Sequence, residues 1–81
     1  MDEIGEVFSY YSNIEVAAIK LSGKLKIGDK IKIKGHTTDF EQKIISMQIE
    51  HEQVSEASSG DEIGIKVSEK VRKGDKVFKV K

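Results

Sequence analysis

The sequence predicts an all-β fold, a small closed antiparallel barrel, and three observations support that prediction. Short runs of alternating apolar and polar residues recur along the chain, whereas apolar residues at helical spacing are almost absent. The chain has seven glycines and no proline, and glycines separate the strand-like runs. Because no helix is predicted that could cover a sheet, closure into a barrel would bury the apolar faces and remove exposed strand edges.

The chain length limits the organisation to one domain, residues 1–81. A chain of this size buries about 60–65% of the surface its unfolded form exposes, so the predicted core is thin. The sequence has no cysteine that could reinforce it through a disulfide or a thiolate metal site. No stretch approaches the apolar length of a signal peptide or a membrane span, so we expect a cytoplasmic protein without membrane contact.

The strand-like runs follow one another at short spacing. Val16–Leu21 begins with apolar residues on both faces, which is typical of a central strand. Three later runs alternate and have one apolar face each, formed by Ile31 and Ile33, by Ile45, Met47 and Ile49, and by Ile63, Ile65 and Val67. The run 77–80 breaks the alternation and cannot be oriented. Only residues 55–59 suggest a single helical turn, which Gly60 would end.

A Gly-Asp unit occurs three times, at Gly28-Asp29, Gly60-Asp61 and Gly74-Asp75. Two copies are similar over ten residues, LKIGDKIKIK at 25–34 and VRKGDKVFKV at 71–80. Glycine permits the positive φ that a tight turn requires, and the aspartate can accept hydrogen bonds from backbone amides as the chain enters a strand. Gly23 and Gly35 also separate strand-like runs, as turn glycines would. The repeat therefore predicts a repeated turn and not a repeated active site.

The charges balance overall, with 14 basic and 14 acidic residues, which argues against attachment to nucleic acid by bulk charge. They are nevertheless unevenly spread. Acidic residues dominate positions 1–19 and 39–65, whereas basic residues dominate positions 20–38 and 66–81. Two interpretations stay open: ordinary ion-paired surfaces, or one basic side that would form if the two lysine-rich blocks lay together.

Two segments come close to known chemical motifs without matching them. Gly23–Lys30 has the glycine spacing of a P-loop, but Asp29 stands where the phosphate-binding lysine is needed, so we predict no nucleotide binding. His51-Glu52 begins like a zinc protease helix, but Ser55 occupies the place of the second histidine. His36 is the only other histidine, and we expect both to be exposed and no metal to be bound.

Catalytic chemistry is not indicated elsewhere. No sequence context singles out a serine nucleophile, and a barrel this small leaves little room for a cleft. Neighbouring carboxylates such as Asp61 and Glu62 would point to opposite faces of a strand. We therefore predict a protein that is not an enzyme, with no catalytic residues and no cofactor.

Two features could serve binding. Phe8, Tyr10 and Tyr11 fall in and after the first predicted strand, where an exposed ring can stack on a partner, although at least one of the three is expected in the core. The second feature is residues 35–39, a polar hairpin tip that directly follows Lys32 and Lys34.

Several junctions resemble a known domain. Residues 23–35 (GKLKIGDKIKIKG), Thr38-Asp39-Phe40, Ser46-Met47-Gln48 and residues 60–65 (GDEIGI) resemble the second domain of translational GTPases, the β-barrel that follows the G domain in elongation factor Tu. The chain resembles still more closely the small stand-alone translation elongation factor-like proteins, which consist of this barrel alone. The similarity runs from about Ile4 to Val80 and implies a closed antiparallel Greek-key barrel of the translation-factor domain II type.

The resemblance implies less about function. In the GTPases this barrel contacts the ribosome, and in elongation factor Tu it takes part in holding aminoacyl-tRNA. GTP hydrolysis does not carry over, because the sequence has no usable P-loop, and no tRNA-contacting residue can be matched onto a position here. A similar barrel is appended to collagenase-like peptidases as an accessory module, so fold does not decide function.

These observations lead to one hypothesis and one alternative. The hypothesis is a non-catalytic binding module of the translation-factor type whose partner is RNA or a ribosome- or tRNA-related complex. Its cations would neutralise phosphates and its hairpin tip would donate hydrogen bonds. The alternative is a protein–protein adaptor or an accessory domain like that of the peptidases. The candidate contacts are Lys24, Lys26, Lys32, Lys34, His36, Thr37, Arg72 and Lys73.

Overall fold

The computed structural model describes residues 2–80, which form ten strands joined by turns and loops. The strands are β1 (Asp2–Tyr11), β2 (Val16–Leu21), β3 (Leu25–Lys26), β4 (Lys30–Lys34), β5 (Asp39–Lys43), β6 (Met47–Ile49), β7 (Glu52–Gln53), β8 (Glu56–Ala57), β9 (Glu62–Lys66) and β10 (Lys76–Val80). No helix occurs within the described residues. Residues 55–59, predicted as one helical turn, instead contain β8, because Ala57 pairs with Leu25 of β3.

Eight strands form one sheet in the order β5-β4-β10-β1-β2-β9-β6-β7, and β3 and β8 form a separate pair. Every pairing is antiparallel, which confirms the all-β antiparallel prediction. Strand β2 lies between β1 and β9, the central position that its apolar start predicted. Strands β1 and β10, from the two ends of the described chain, are neighbours in the sheet.

The predicted closed barrel is not found among residues 2–80. Strands β5 and β7 stand at the two ends of the sheet order and do not pair. The side chain of Gln42, and not a backbone ladder, links β5 to the end of β9 and to the residues that follow it. Gln42 Nε2 donates to the carbonyl of Lys66 at 2.8 Å, and the amide of Ser68 donates to Gln42 Oε1 at 2.8 Å. Since β7 is only two residues long, it offers little backbone for further pairing.

The alternating runs place their apolar residues in the core as predicted. Ile31, Ile33, Ile63 and Ile65 are all at most 2% exposed. The run that could not be oriented, in β10, turns Val77 inward, where it is fully buried opposite Ile33. Alternation within paired strands therefore predicted burial well.

Ile45 is the exception to the predicted pattern. Its side chain is 73% exposed, whereas Ile44 is buried at 1%. The reason is that β6 begins only at Met47, so residues 44–46 form an irregular connection that does not follow strand alternation.

The three Gly-Asp units form the same turn. Their glycines, Gly28, Gly60 and Gly74, have φ of 96°, 94° and 96°, a conformation that favours glycine. In each turn the aspartate Oδ2 accepts a hydrogen bond from the amide three residues earlier. The donor–acceptor pairs are Lys26–Asp29 at 3.0 Å, Ser58–Asp61 at 2.9 Å and Arg72–Asp75 at 2.9 Å. The predicted roles of both residues are confirmed.

Each of these turns is also bonded to a buried residue far away in the sequence. The glycine amide donates to the carbonyl of that residue, whose own amide donates to the aspartate carbonyl. The partners are Ile44 for Gly28-Asp29 at 2.8 and 2.8 Å, Leu21 for Gly60-Asp61 at 2.9 and 2.9 Å, and Val7 for Gly74-Asp75 at 2.8 and 2.8 Å. What looked in the sequence like a local turn is therefore also a repeated tertiary contact.

The third turn is the most enclosed of the set. Asp75 is 4% exposed and packs against Gly35, where an added β-carbon would lie 2.6 Å from Asp75 Cγ. Gly35 is not among the residues of positive φ, nor is Gly23. The prediction of turn glycines at these two positions is therefore not supported by their backbone. At Gly35 the absence of a side chain serves close packing instead.

The assignment of the core predicts that the same isoleucine-to-alanine substitution lowers the free energy of unfolding much more at a buried position than at an exposed one. Ile63→Ala should lower the free energy of unfolding by about 2–5 kcal/mol, because it removes buried methyl groups. Ile45→Ala removes the same atoms from an exposed site and should change it by at most about 0.5 kcal/mol. Equilibrium urea denaturation measures both variants. Similar losses would contradict the assigned core.

The contact between Gly35 and Asp75 predicts a coupling. Gly35→Ala should destabilise the protein by about 1–3 kcal/mol, because the new methyl group meets the buried carboxylate. In an Asp75→Ala background the same change should cost less by at least about 0.5 kcal/mol, since the clashing group is gone. A double-mutant cycle in urea measures this difference. An equal cost in both backgrounds would show that Gly35 is needed for another reason.

Candidate functional site

The two lysine-rich blocks lie side by side, because β4 and β10 pair. Five candidate residues, all exposed, lie near one end of these strands: Lys34, His36, Thr37, Arg72 and Lys73. Two observations place them there. Lys34 is opposite Lys76 in the ladder, and Gly35 packs against Asp75 in the turn that contains Arg72. The exposure predicted for both histidines, His36 and His51, is confirmed.

The other three candidate residues lie elsewhere. Lys24 and Lys26 line a cavity of about 520 Å³ together with Lys79. The ammonium of Lys79 contacts the carboxylate of Asp29 at 3.3 Å, and Asp29 directly precedes β4. Because β4 has five residues, its two ends are roughly 13 Å apart. Lys32 lies between them and contacts Asp39 at 3.5 Å. The predicted contact residues therefore lie towards the two ends of β4, with Lys32 between them.

Acidic side chains alternate with these lysines on the outer face of the sheet. Lys30 contacts Glu41 at 3.2 Å, and Lys76 contacts Glu6 at 2.7 Å and Glu3 at 3.8 Å. A row of cross-strand neighbours runs through Asp39, Lys34, Lys76, Glu6, Lys20 and Glu62. Of the two interpretations of the charge blocks, the structure supports the ion-paired surface.

Lys76 shows how strongly these charges interact. The hydrogen bond with Glu6 raises the pKa of Lys76 above its ordinary value of 10.5, and the negative charges of Glu6 and Glu3 act in the same direction, against the opposing effect of burial. This ammonium is therefore engaged inside the protein's own surface network.

A different surface lies over β1, β2, β9 and β6. Its floor contains the paired residues Ala18 and Gly64, which have small side chains or none. Phe8, Tyr11 and Ile14 stand along it with 39%, 48% and 56% of their area exposed. These residues line an open cavity of about 630 Å³. We call this surface the aromatic groove.

Phe8 is exposed because it follows the buried Val7, so strand alternation places it on the outer face. Val7 pairs with Ile19 and Ser9 pairs with Ala18, so Phe8 between them has no partner in the ladder. This bulge shifts the alternation of the residues after it, and Tyr10 turns towards the core while Tyr11 turns outward. Tyr10 is partly buried against the core, which confirms that one of the three clustered aromatic residues belongs there.

The backbone around the aromatic groove is unusual. Within residues 2–80 three non-glycine residues have positive φ: Glu15 at 56°, Glu50 at 51° and His51 at 67°. Glu50 and His51 form the two-residue turn between β6 and β7 and line the groove. Glu15 lies between Ile14 and Val16, which also line it. Glu50 and His51 adopt positive φ because a tight two-residue hairpin turn requires it at both central positions, and Glu15 ends the turn between β1 and β2. These conformations therefore shape the edge of the groove, and the exposed rings of Phe8 and Tyr11 make it the candidate site.

The sequence identified this site only in part. It indicated Phe8 and Tyr11 as possible contacts but not Ile14, although a single apolar residue within the polar turn 12–15 was a usable signal. The bulge and the floor depend on strand register and gave no local signal. Across residues 2–80, no group of three His, Cys, Asp or Glu side chains is placed to hold a metal ion.

The membrane prediction is tested only for helices. Residues 2–80 contain no helix whose length and apolar character would allow it to cross a bilayer.

No protein-family model matches this chain. Comparison with individual proteins does find relatives. The chain is 44% identical over 80 residues to an uncharacterized protease of Methanocaldococcus jannaschii, covering 98% of this chain and 20% of that protein. It is 40% identical over 78 residues to a collagenase of Porphyromonas gingivalis, covering 94% of this chain and 22% of the collagenase. The chain thus spans about a fifth of the length of these curated relatives.

Solved structures show the same fold. The C-terminal domain of a U32 peptidase from Geobacillus thermoleovorans matches with a TM-score of 0.93 over 99% of this chain and 93% of that one. Its selenomethionine variant matches with a TM-score of 0.91 over 95% and 98% of the two chains. Both are 18% identical to this chain, so the likeness shows the fold alone.

These comparisons correct the identification made from the sequence. The relatives are a protease and a collagenase, and the matching structure is a domain of a peptidase, not of a translation factor. The assignment to stand-alone elongation factor-like proteins was wrong, and with it the expectation of ribosome and RNA binding. The junctions that suggested it are the Gly-Asp turns and the strands they start. Because these features have a structural role in the sheet, they do not distinguish one function from another.

The ion pairs of Lys76 predict a titration. Since its pKa is raised in the folded protein, its contribution to stability should be present below pH 10.5 and should be lost as the pH rises through the raised value. A ¹³C-detected NMR titration should find the Lys76 side chain titrating above 10.5, the ordinary lysine value. In Glu6→Gln the pKa of Lys76 should fall, because the hydrogen bond that raises it is lost. An unchanged Lys76 pKa in Glu6→Gln would contradict the contact.

Proposed function

We propose that this protein is a non-catalytic accessory domain of the kind found in U32 peptidases and collagenase-like proteins, and that it binds polypeptide at the aromatic groove. One observation carries the proposal: nearly the whole chain, 98% of it, matches a segment that makes up only 20% of a protease. A domain of the same fold forms the C-terminal part of another peptidase. A segment of this size beside a much larger remainder is well suited to a supporting role.

The aromatic groove has the properties of a polypeptide-binding surface. Phe8 and Tyr11 present large, rigid rings that contribute contact area at a low cost in conformational entropy. Ala18 and Gly64 leave the floor free of bulky side chains, so the backbone of a bound segment can approach the sheet closely. The groove is open and crosses β1, β2, β9 and β6, which suits an extended chain better than a compact ligand.

The ionisable residues favour binding over catalysis. Perturbed carboxylates in enclosed clefts are typical of catalytic acids and bases. Asp75, the buried ionisable residue in the described part of the chain, accepts a hydrogen bond from the amide of Arg72 and supports a turn. The ionisable residues that line the groove, Glu50, His51, Asp61 and Glu62, are exposed or only partly buried.

Gelatin, denatured collagen, tests this proposal, because a relative is named a collagenase. The isolated protein should bind gelatin fragments without cleaving them, and amide shifts of the ¹⁵N-labelled protein should map to β1, β2, β6 and β9. Phe8→Ser combined with Tyr11→Ser should weaken binding at least about tenfold, as expected for aromatic contact residues. Ile45→Ser, which removes an exposed isoleucine outside the groove, should leave it unchanged.

Two results would contradict the proposal. Cleavage of gelatin by the pure protein that the double substitution abolishes would show catalysis at the groove. Absence of binding to gelatin and also to reduced casein would show that the groove does not hold polypeptide.

A further inference from the structure

The aromatic groove continues past Phe8. A second open cavity, of about 420 Å³, lies on the other side of this ring and is lined by Glu3, Gly5, Glu6, Phe8, Lys20, Leu21 and Ser22. Phe8 lines both cavities. The exposed ring of Phe8 therefore separates two neighbouring cavities on the same face of the sheet.

The charges that surround this surface are mostly negative. The larger cavity is lined by Glu50, Asp61 and Glu62, and no lysine or arginine among residues 2–80 lines it. The smaller cavity has Glu3 and Glu6 against Lys20. Lys76 is paired with both of these glutamates, so the smaller cavity is partly neutralised. In the larger cavity Glu62 has Lys20 as its cross-strand neighbour and Asp61 accepts a hydrogen bond from the Ser58 amide, but the balance of charge along its rim is still negative.

Apolar rings beside a rim of net negative charge favour a particular ligand. An aromatic or aliphatic side chain would pack between Phe8, Tyr11 and Ile14, while a neighbouring cation would be attracted by Glu50 and Glu62. The exposed ring of Tyr11 can also contact a cation through its face. An acidic segment would be repelled by the same rim.

Resting on the proposed function, we infer that the aromatic groove selects extended polypeptide segments in which an aromatic or aliphatic residue is flanked by lysine or arginine. The apolar side chain enters the larger cavity against Tyr11 and Ile14. The flanking cation lies at the rim formed by Glu50 and Glu62. Gly64 has no side chain to occupy the floor, so the backbone of the segment can approach the sheet there.

A polypeptide segment has to be distinguished from two other occupants of the groove, a lipid surface and a second copy of the chain. A membrane surface with anionic lipids would be repelled by the three acidic residues of the larger cavity. A second copy of the chain could cover the exposed rings without any preference for charge. Both appear below as results that would overturn the inference.

Three matched peptides of one length test the selectivity. The first has a phenylalanine flanked by lysines, the second has the same phenylalanine flanked by glutamates, and the third has the lysines with serine in place of phenylalanine. Titration of the ¹⁵N-labelled full chain at low and high salt gives the affinities. The first peptide should bind about tenfold more tightly than the second, which corresponds to two exposed charge pairs, and salt should reduce the difference. The third should bind more weakly than the first.

Charge reversal locates the selectivity on the rim. Glu62→Lys should reduce the preference for the lysine-flanked peptide, whereas Glu69→Lys, which makes the same change in net charge at an exposed position outside both cavities, should leave it unchanged. Circular dichroism of both variants checks that the fold is retained. Equal effects of the two substitutions would overturn the rim assignment.

The outcomes separate this inference from the proposed function. If the phenylalanine peptides bind equally whatever their flanking charge, the inference fails and polypeptide binding stands. If no peptide binds and gelatin does not bind either, both fail. Self-association in analytical ultracentrifugation that Tyr11→Ser abolishes would make a second copy the occupant. Binding to anionic vesicles but to no peptide would make the occupant a lipid surface.

Discussion

Three pairs of backbone hydrogen bonds fix the loops of the sheet to its core, each between a Gly-Asp turn and a buried residue that is distant in sequence. Ile44, Leu21 and Val7 each accept from the turn glycine and donate to the turn aspartate. The positive φ of the glycine and the hydrogen bond to the aspartate side chain already fix each turn. Forming the reciprocal pair of backbone hydrogen bonds therefore costs little additional backbone entropy. With no cysteine in the sequence, these contacts and the apolar core provide the stability that small domains often obtain from disulfides.

The same arrangement determines the character of the surface. Pairing of β4 with β10 and of β10 with β1 brings lysines next to Glu3 and Glu6, and pairing of β4 with β5 brings them next to Glu41. The outer face over these strands is therefore an ion-paired network. Over β1, β2, β9 and β6 the small residues Ala18 and Gly64 line an open cavity along which Phe8 and Tyr11 are exposed. A surface of that kind suits contact with a polypeptide.

Much of the fold was accessible from the sequence because the physics involved is local. Alternation predicted the burial of Ile31 and Ile63, and the composition of the Gly-Asp units predicted their turn. Alternation failed at Ile45, where the chain is not a strand, and the expected closure of the barrel failed because it depends on how β5 and β7 meet. The identification as a translation-factor domain was wrong, since the matching junctions describe a way of building a sheet and not a function.

The sequence by itself determined the β class, the core positions within regular strands and the geometry of three turns. Each of these depends on residues within a few positions of one another. Only the tertiary structure decided that the lysine-rich blocks lie side by side between strands with acidic residues, and that the bulge in β1 turns Tyr10 inward and Tyr11 outward. It also decided that Gly35 has to accommodate the carboxylate of Asp75. Strand order and register bring together residues that no sequence pattern relates, and the candidate site is formed by such residues.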